Sequence, residues 1–109
     1  MSEYVSIKKD VLLKLEEHLP EIRDRFGIET LGIFGSVARG EDTPESDVDI
    51  FYKFDPERIS YASYLDFYDF LENLLERKIE LVALDSMPGR FRKAIDEDMI
   101  QTTIPMGAI

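Results

Sequence analysis

A run of small residues, Gly35-Ser36-Val37-Ala38-Arg39-Gly40-Glu41, precedes Asp47-Val48-Asp49, and both segments are joined to alternating apolar runs. From Glu29 to Phe34 the chain reads as a short strand, with Leu31 and Ile33 on one face and Gly32 and Phe34 on the other. From Asp47 to Phe54 it alternates again, Val48, Ile50 and Tyr52 against Asp47, Asp49 and Phe51. Gly35-Ser36 ends the first strand, residues 37–40 suit one or two helical turns, and Asp42-Thr43-Pro44-Glu45-Ser46 has the chemistry of a turn. Because strand side chains point to opposite faces in turn, burying Val48 and Ile50 forces Asp47 and Asp49 together onto the other face. Their Cα atoms are then about 6.7 Å apart.

The rest of the chain supplies helices and one more strand. Ile7, Val11, Leu15, Ile22 and Phe26 keep a helical period, with Lys8, Lys9, Glu16 and Glu17 opposite. Pro20 suits the first turn of a second helical segment, which Gly27 stops. Between Ser60 and Lys78, Tyr61, Tyr64, Leu65, Tyr68, Leu71, Leu74 and Leu75 predict a long amphipathic helix, with Phe67 among its core aromatics. A third strand follows over Ile79 to Leu84, then a loop at Met87-Pro88-Gly89. A last helix is predicted from Arg90 to Ile100, bearing Phe91, Ala94 and Ile95, and a tail from Pro105 to Ile109. This order predicts a single α/β domain over residues 1–109, a small mixed β-sheet flanked by helices.

Composition narrows what such a domain can meet. At 109 residues and 44% apolar content it can bury a real core. With no cysteine, disulfides and thiolate metal sites are excluded. No apolar run approaches the roughly 20 residues needed to span a bilayer, and the N-terminus lacks the pattern of a signal peptide, so a cytoplasmic setting is expected. The net charge of −10 argues against long nucleic acid held on the bare surface. The same charge makes any bound triphosphate dependent on divalent cations.

The candidate site combines two simple devices. Gly35 leaves backbone N–H groups open to phosphate oxygens, and Ser36 adds a hydroxyl. Two aspartates on one strand face can converge on Mg²⁺. Either feature alone is common: Asp-x-Asp is often a solvated pair, and Gly-Ser is often a plain strand-to-helix turn with Ser as N-cap. No Gly-Lys-Ser/Thr is present, which removes a P-loop. Arg39 can reach phosphate or pair with Glu41 or Asp47, and Lys53 shares the parity of the two aspartates. Arg90, Arg92 and Lys93 suit a solvated helix face, and His18 lies far from these motifs.

The spacing Gly35-Ser36, ten residues, Asp47-Val48-Asp49 resembles the signature of the polymerase-β-like nucleotidyltransferase superfamily. The longer string, with Ser46-Asp47-Val48-Asp49-Ile50, is similar to the minimal nucleotidyltransferases, which in prokaryotes are typically antitoxins paired with HEPN-domain RNase toxins. The resemblance spans about Glu29 to Ile100. It implies that Gly35 and Ser36 hold a triphosphate, with Arg39 as a further nucleotide contact, and that Asp47 and Asp49 bind two Mg²⁺ ions. It aligns Glu80 with the family's third acid, normally aspartate, which would activate the acceptor hydroxyl and join one metal. Glu is longer by about 1.5 Å, a departure in a site where placement matters to about 0.5 Å. Asp85, on the opposite parity, is a poorer candidate. The resemblance further implies transfer of AMP from ATP to a hydroxyl, typically a tyrosine, of a HEPN-type toxin, in a homo- or hetero-oligomer. A catalytically degenerate antitoxin that neutralises its partner by contact is the alternative.

Overall fold

The computed structural model describes residues 3–57, 60–86, 89–98 and 100–101. Helix α1 (Lys8–Phe26) leads into strand β1 (Ile28–Phe34), the short helix α2 (Gly35–Arg39), strand β2 (Val48–Phe54) and helix α3 (Tyr61–Leu75). Strand β3 (Ile79–Ala83), a single 3₁₀ turn (Leu84–Ser86), helix α4 (Gly89–Asp98) and the two-residue strand β4 (Ile100–Gln101) complete it. The sheet order is β3-β2-β1-β4. β1 runs antiparallel to β2 and β4, whereas β2 and β3 are parallel and joined through α3. The mixed sheet is the one expected.

The two faces of the sheet are built from opposite parities. Leu31, Ile33, Val48, Ile50, Tyr52 and Ile79 pack under α1 and α3 in the main core, against Val11, Leu15, Ile22, Phe67 and Leu71. Phe67 is fully buried and its ring meets Phe26, Tyr52 and Phe54 at centroid distances of 5.4–6.4 Å. On the other face Phe34, Phe51 and Val82 form a smaller cluster, joined by Phe91 of α4. Asp49 and Glu80 share the parity of this second, thinly covered face.

Several boundaries differ from expectation for local reasons. α1 is continuous through Pro20, which sits exposed inside the helix. Pro cannot donate to the preceding turn, but buried Leu19 and Ile22 hold the helix on the sheet across that missing bond. α3 starts at the Ser60 cap, which accepts from the Ser63 N–H, and stops at Glu76 in the left-handed region. Gly89 belongs to α4, not to a loop, while Met87 and Pro88 lie outside the described residues. Ile100 leaves the helix and pairs with Ile33, because the outer edge of β1 offers it a ladder. The expected tail at 105–109 also lies outside the described residues, as do the side chains of Ala94 and Ile95.

Candidate active site

Two neighbouring ladder positions assemble the site. Phe34 pairs with Asp49 across β1 and β2, and Asp49 pairs with Glu80 across β2 and β3. The residue after Phe34 is Gly35, so the turn into α2 begins beside the Asp49 carboxyl. Gly35 has φ +75°, and a Cβ added there would run into Asp49 Oδ2 and lie 3.2 Å from its Cγ. Both its backbone conformation and the acid next to it therefore require glycine. Gly40 has the same kind of backbone, φ +73°, but a Cβ added there would meet no described atom within 4 Å.

These two glycines make a controlled pair. Gly35→Ala should displace the Asp49 carboxyl, lower the melting temperature by several degrees and abolish triphosphate binding. Gly40→Ala should show only the backbone strain, about 1 kcal/mol. Thermal melts and titration with a nonhydrolysable ATP analogue check both.

Asp47 does not lie in the strand. It is the exposed residue just before β2, so its direction is set by the loop and not by the pleat. Asp49 is half-buried, and its carboxyl is pushed up from 3.8 to about 6. Burial is the largest cause; the negative charges of Glu80 and Asp47 add to it, and the Arg39 guanidinium opposes it. Among the described residues, no three acidic or imidazole groups converge closely enough to enclose an ion. The donors are nonetheless all hard carboxylate oxygens, the type that suits Mg²⁺. The repulsion that raises Asp49 is also what a bound cation would relieve.

The sign of the stability effect follows from that shift. Below pH 3.8 Asp49 is protonated in both folded and unfolded chains, so it contributes nothing. Between about 4 and 6 the unfolded chain loses its proton first, and stability falls as pH rises; above about 6 the full penalty persists. Urea unfolding at pH 4.5 and 7, without metal, should show this loss in the wild type and not in Asp49→Asn.

Two of the remaining candidates, Arg39 and Lys53, form ion pairs. Arg39 Nε donates to Glu41 Oε1 at 2.7 Å, the ion-pair option, while its charge still reaches Asp49. Ser36 is not the N-cap of α2: that position is Phe34, and among the described residues no side chain caps the helix. Lys53 pairs with Glu29 at 3.4 Å, towards the far end of β2. Asp85 is exposed in the 3₁₀ turn. His18 stands apart from the acids; its Nδ1 lies 2.9 Å from the Lys14 carbonyl and its ring meets Phe70 edge-on. Grooves of about 380, 500 and 580 Å³ lie around Arg23 and Gly27, between α1 and α3, and beside Tyr52 and Tyr61. None of these three includes Asp47, Asp49 or Glu80.

Three residues beside the site had no signal in the sequence. The Tyr68 hydroxyl donates to the Ile79 carbonyl at 3.2 Å, and its phenol is pushed up by burial first and then by negative neighbours that include Asp47. Asp42 is a buried carboxylate in the loop before β2. Arg77 reaches the same loop from the turn between α3 and β3. Only the fold brings them there.

A glycine turn beside two acids on one sheet face fits the nucleotidyl-transfer class. The family model described as polymerase beta, nucleotidyltransferase, matches residues 15–101, and the chain belongs to that family. It is 36% identical over 88 residues to a Methanocaldococcus jannaschii protein named as a candidate protein adenylyltransferase, covering 79% of this chain and 88% of that one. It is 35% identical over 86 residues to the protein adenylyltransferase MntA of Thermococcus cleftensis, covering 79% of this chain and 86% of the relative. A solved structure described as a candidate minimal nucleotidyltransferase superposes with a TM-score of 0.68 at 27% identity, covering 84% of this chain and 92% of that one. A toxin–antitoxin structure with AMP-PNP shares the fold, with a TM-score of 0.64 at 17% identity over 85% of this chain and 76% of its own.

Proposed function

We propose that this chain is a Mg²⁺-dependent protein adenylyltransferase that moves AMP from ATP to a tyrosine hydroxyl of a HEPN-type RNase toxin, and so acts as its antitoxin. The observation that carries the reading is the ladder Phe34–Asp49–Glu80, which sets the Gly35 turn and two acids side by side on one sheet face. The protein adenylyltransferase names of the relatives support the chemistry. Toxin–antitoxin complexes among the structural neighbours, one described with a tri-AMPylated HEPN toxin, support the kind of partner.

In this reading Gly35 and Ser36 receive the triphosphate through their backbone N–H groups and the Ser36 hydroxyl, with Arg39 at its edge. Asp47 and Asp49 would hold two metal ions, and Glu80 would share one. Mg²⁺, when bound, neutralises the developing charge on the leaving pyrophosphate and acidifies the attacking hydroxyl. The acceptor oxygen forms its bond to the α-phosphorus as the bond to the bridging oxygen of the β-phosphate breaks, and pyrophosphate leaves. Glu80 takes the acceptor's proton.

Two observations favour a second reading. Glu80 replaces the expected aspartate, and among the described residues the acids do not converge on one point. A protein that silences its partner by contact alone would tolerate both. Incubating the chain and its partner with α-labelled ATP and Mg²⁺ separates the two readings. Label on the partner, lost in the Asp47→Ala/Asp49→Ala variant, supports transfer; a stable complex without label supports contact alone.

A further inference from the structure

Asp47 stands outside the strand, yet both peptide groups that flank it are tied to one short turn. On its N-terminal side, the Ser46 carbonyl accepts from Arg77 Nη2 at 2.6 Å. On its C-terminal side, the Val48 N–H donates to the Lys78 carbonyl at 2.9 Å. Arg77 and Lys78 lead directly into β3, three and two residues before Glu80. The same Nη2 also donates to the Thr43 carbonyl at 3.0 Å. The Thr43–Ser46 turn presents both carbonyls to that guanidinium, closed by Ser46 N–H to Thr43 O at 3.0 Å and Thr43 N–H to Ser46 Oγ at 2.8 Å.

The start of the loop is anchored as firmly, from a different part of the chain. Asp42 is only 6% exposed. Its Oδ1 accepts from the Ser6 hydroxyl, and its Oδ2 accepts from the Tyr4 hydroxyl and from the Ile7 N–H at 3.1 Å. Burial alone would raise this carboxyl, but those donors outweigh it and hold it below the ordinary carboxylate value. At the start of α1 the N-cap residue Ile7 has no capping side chain; Ser6 Oγ accepts from the Lys8 N–H at 3.1 Å, and Asp42 adds an acceptor for the Ile7 N–H. Tyr4 links the two anchors, since its hydroxyl also accepts from Arg77 Nη1 at 3.4 Å.

We propose that Arg77, with Asp42 and Tyr4, is a positioning assembly that holds Asp47 in register with Glu80. The inference rests on the functional reading of those two acids. A loop residue has no pleat to aim it, so its carboxylate is only as well placed as its flanking peptides. Tying those peptides to the segment that carries Glu80 makes the spacing between the two acids a local property of one hydrogen-bonded frame. Asp42 and Tyr4 keep the far end of the loop from swinging.

The test uses the full chain without its partner, with MgCl₂ and a nonhydrolysable ATP analogue as probe. In Arg77→Met, amide exchange at Ser46 and Val48 should quicken about tenfold or more, while Ile33, Ile50 and Leu71 stay protected. Affinity for the probe should fall by about 10–100-fold. Arg77→Lys should restore part of both, and Tyr4→Phe should shift both the same way by less. Unchanged exchange in Arg77→Met and Tyr4→Phe would overturn the proposal. So would uniform loosening of every amide, or local loosening with affinity intact. Should the wild type fail to bind the probe at all, the functional reading and the site-positioning role fall together. Unchanged exchange beside normal wild-type binding sinks the assembly alone.

Discussion

Asp49→Asn should lower transfer to the partner by about a thousandfold or more and, without metal, make the protein more stable at pH 7.5. The first effect follows from the position of this carboxylate, which packs against Gly35 and faces Glu80 across the ladder. An amide cannot supply the charge that metal binding and phosphoryl chemistry require. The second follows from its elevated pKa. A carboxyl raised from 3.8 to about 6 carries a penalty of roughly 3 kcal/mol when ionised. Partial exposure reduces that to about 1–2 kcal/mol. Labelled-ATP transfer and urea unfolding, measured on one preparation, check the two effects together. Retained transfer would remove Asp49 from the chemistry; lost stability would contradict the burial and the added repulsion inferred around it. The opposite signs matter, because a merely damaged fold loses both activity and stability.

Glu80→Gln should lower transfer by about 10²–10³-fold with little change in the affinity for ATP. The missing function is acceptance of a proton from the attacking hydroxyl, a step in the transition state and not in nucleotide binding. Removing this charge also takes away part of what raises Asp49, so the pH midpoint of metal binding should move towards the ordinary carboxylate range. Glu80→Asp is the sharper variant. It withdraws the carboxylate by about 1.5 Å, and a site built around glutamate should lose about 10–100-fold from that shift. A gain in activity would instead mean that the glutamate blunts the catalyst. Unchanged transfer in Glu80→Gln would assign the proton to another acceptor. Steady-state transfer with the partner in excess distinguishes these outcomes.

Much of the fold was legible because it rests on short-range periodicity. The alternation in Leu31–Phe34 and Val48–Tyr52 correctly assigned each residue to one of the two sheet faces. Alternation alone sets Glu80 and Val82 opposite Ile79 and Leu81; the parallel ladder of β2 and β3 is what pairs Glu80 directly with Asp49. Local pattern was less informative at the boundaries. Pro20 looks like a helix start, yet α1 runs through it, because burial of Leu19 and Ile22 outweighs one missing hydrogen bond. Ile100 fits a helical period but pairs with Ile33, a contact 67 positions away in sequence that no local window contains.

The acids themselves divide along the same line. The local pattern marked the candidate acids and fixed the parity of Asp49 and Glu80 on their own strands, because a strand's two-residue period is intrinsic to its backbone; the parallel register of β2 and β3 then paired them. It also marked Gly35 as a turn, although the need for glycine there comes equally from the Asp49 carboxyl that the fold presses against it. Tertiary structure alone decided how Asp47 is held. Tyr4, Asp42 and Arg77 meet around its loop from three distant stretches of chain, and hydrogen bonds between such stretches leave no periodic trace in any one of them.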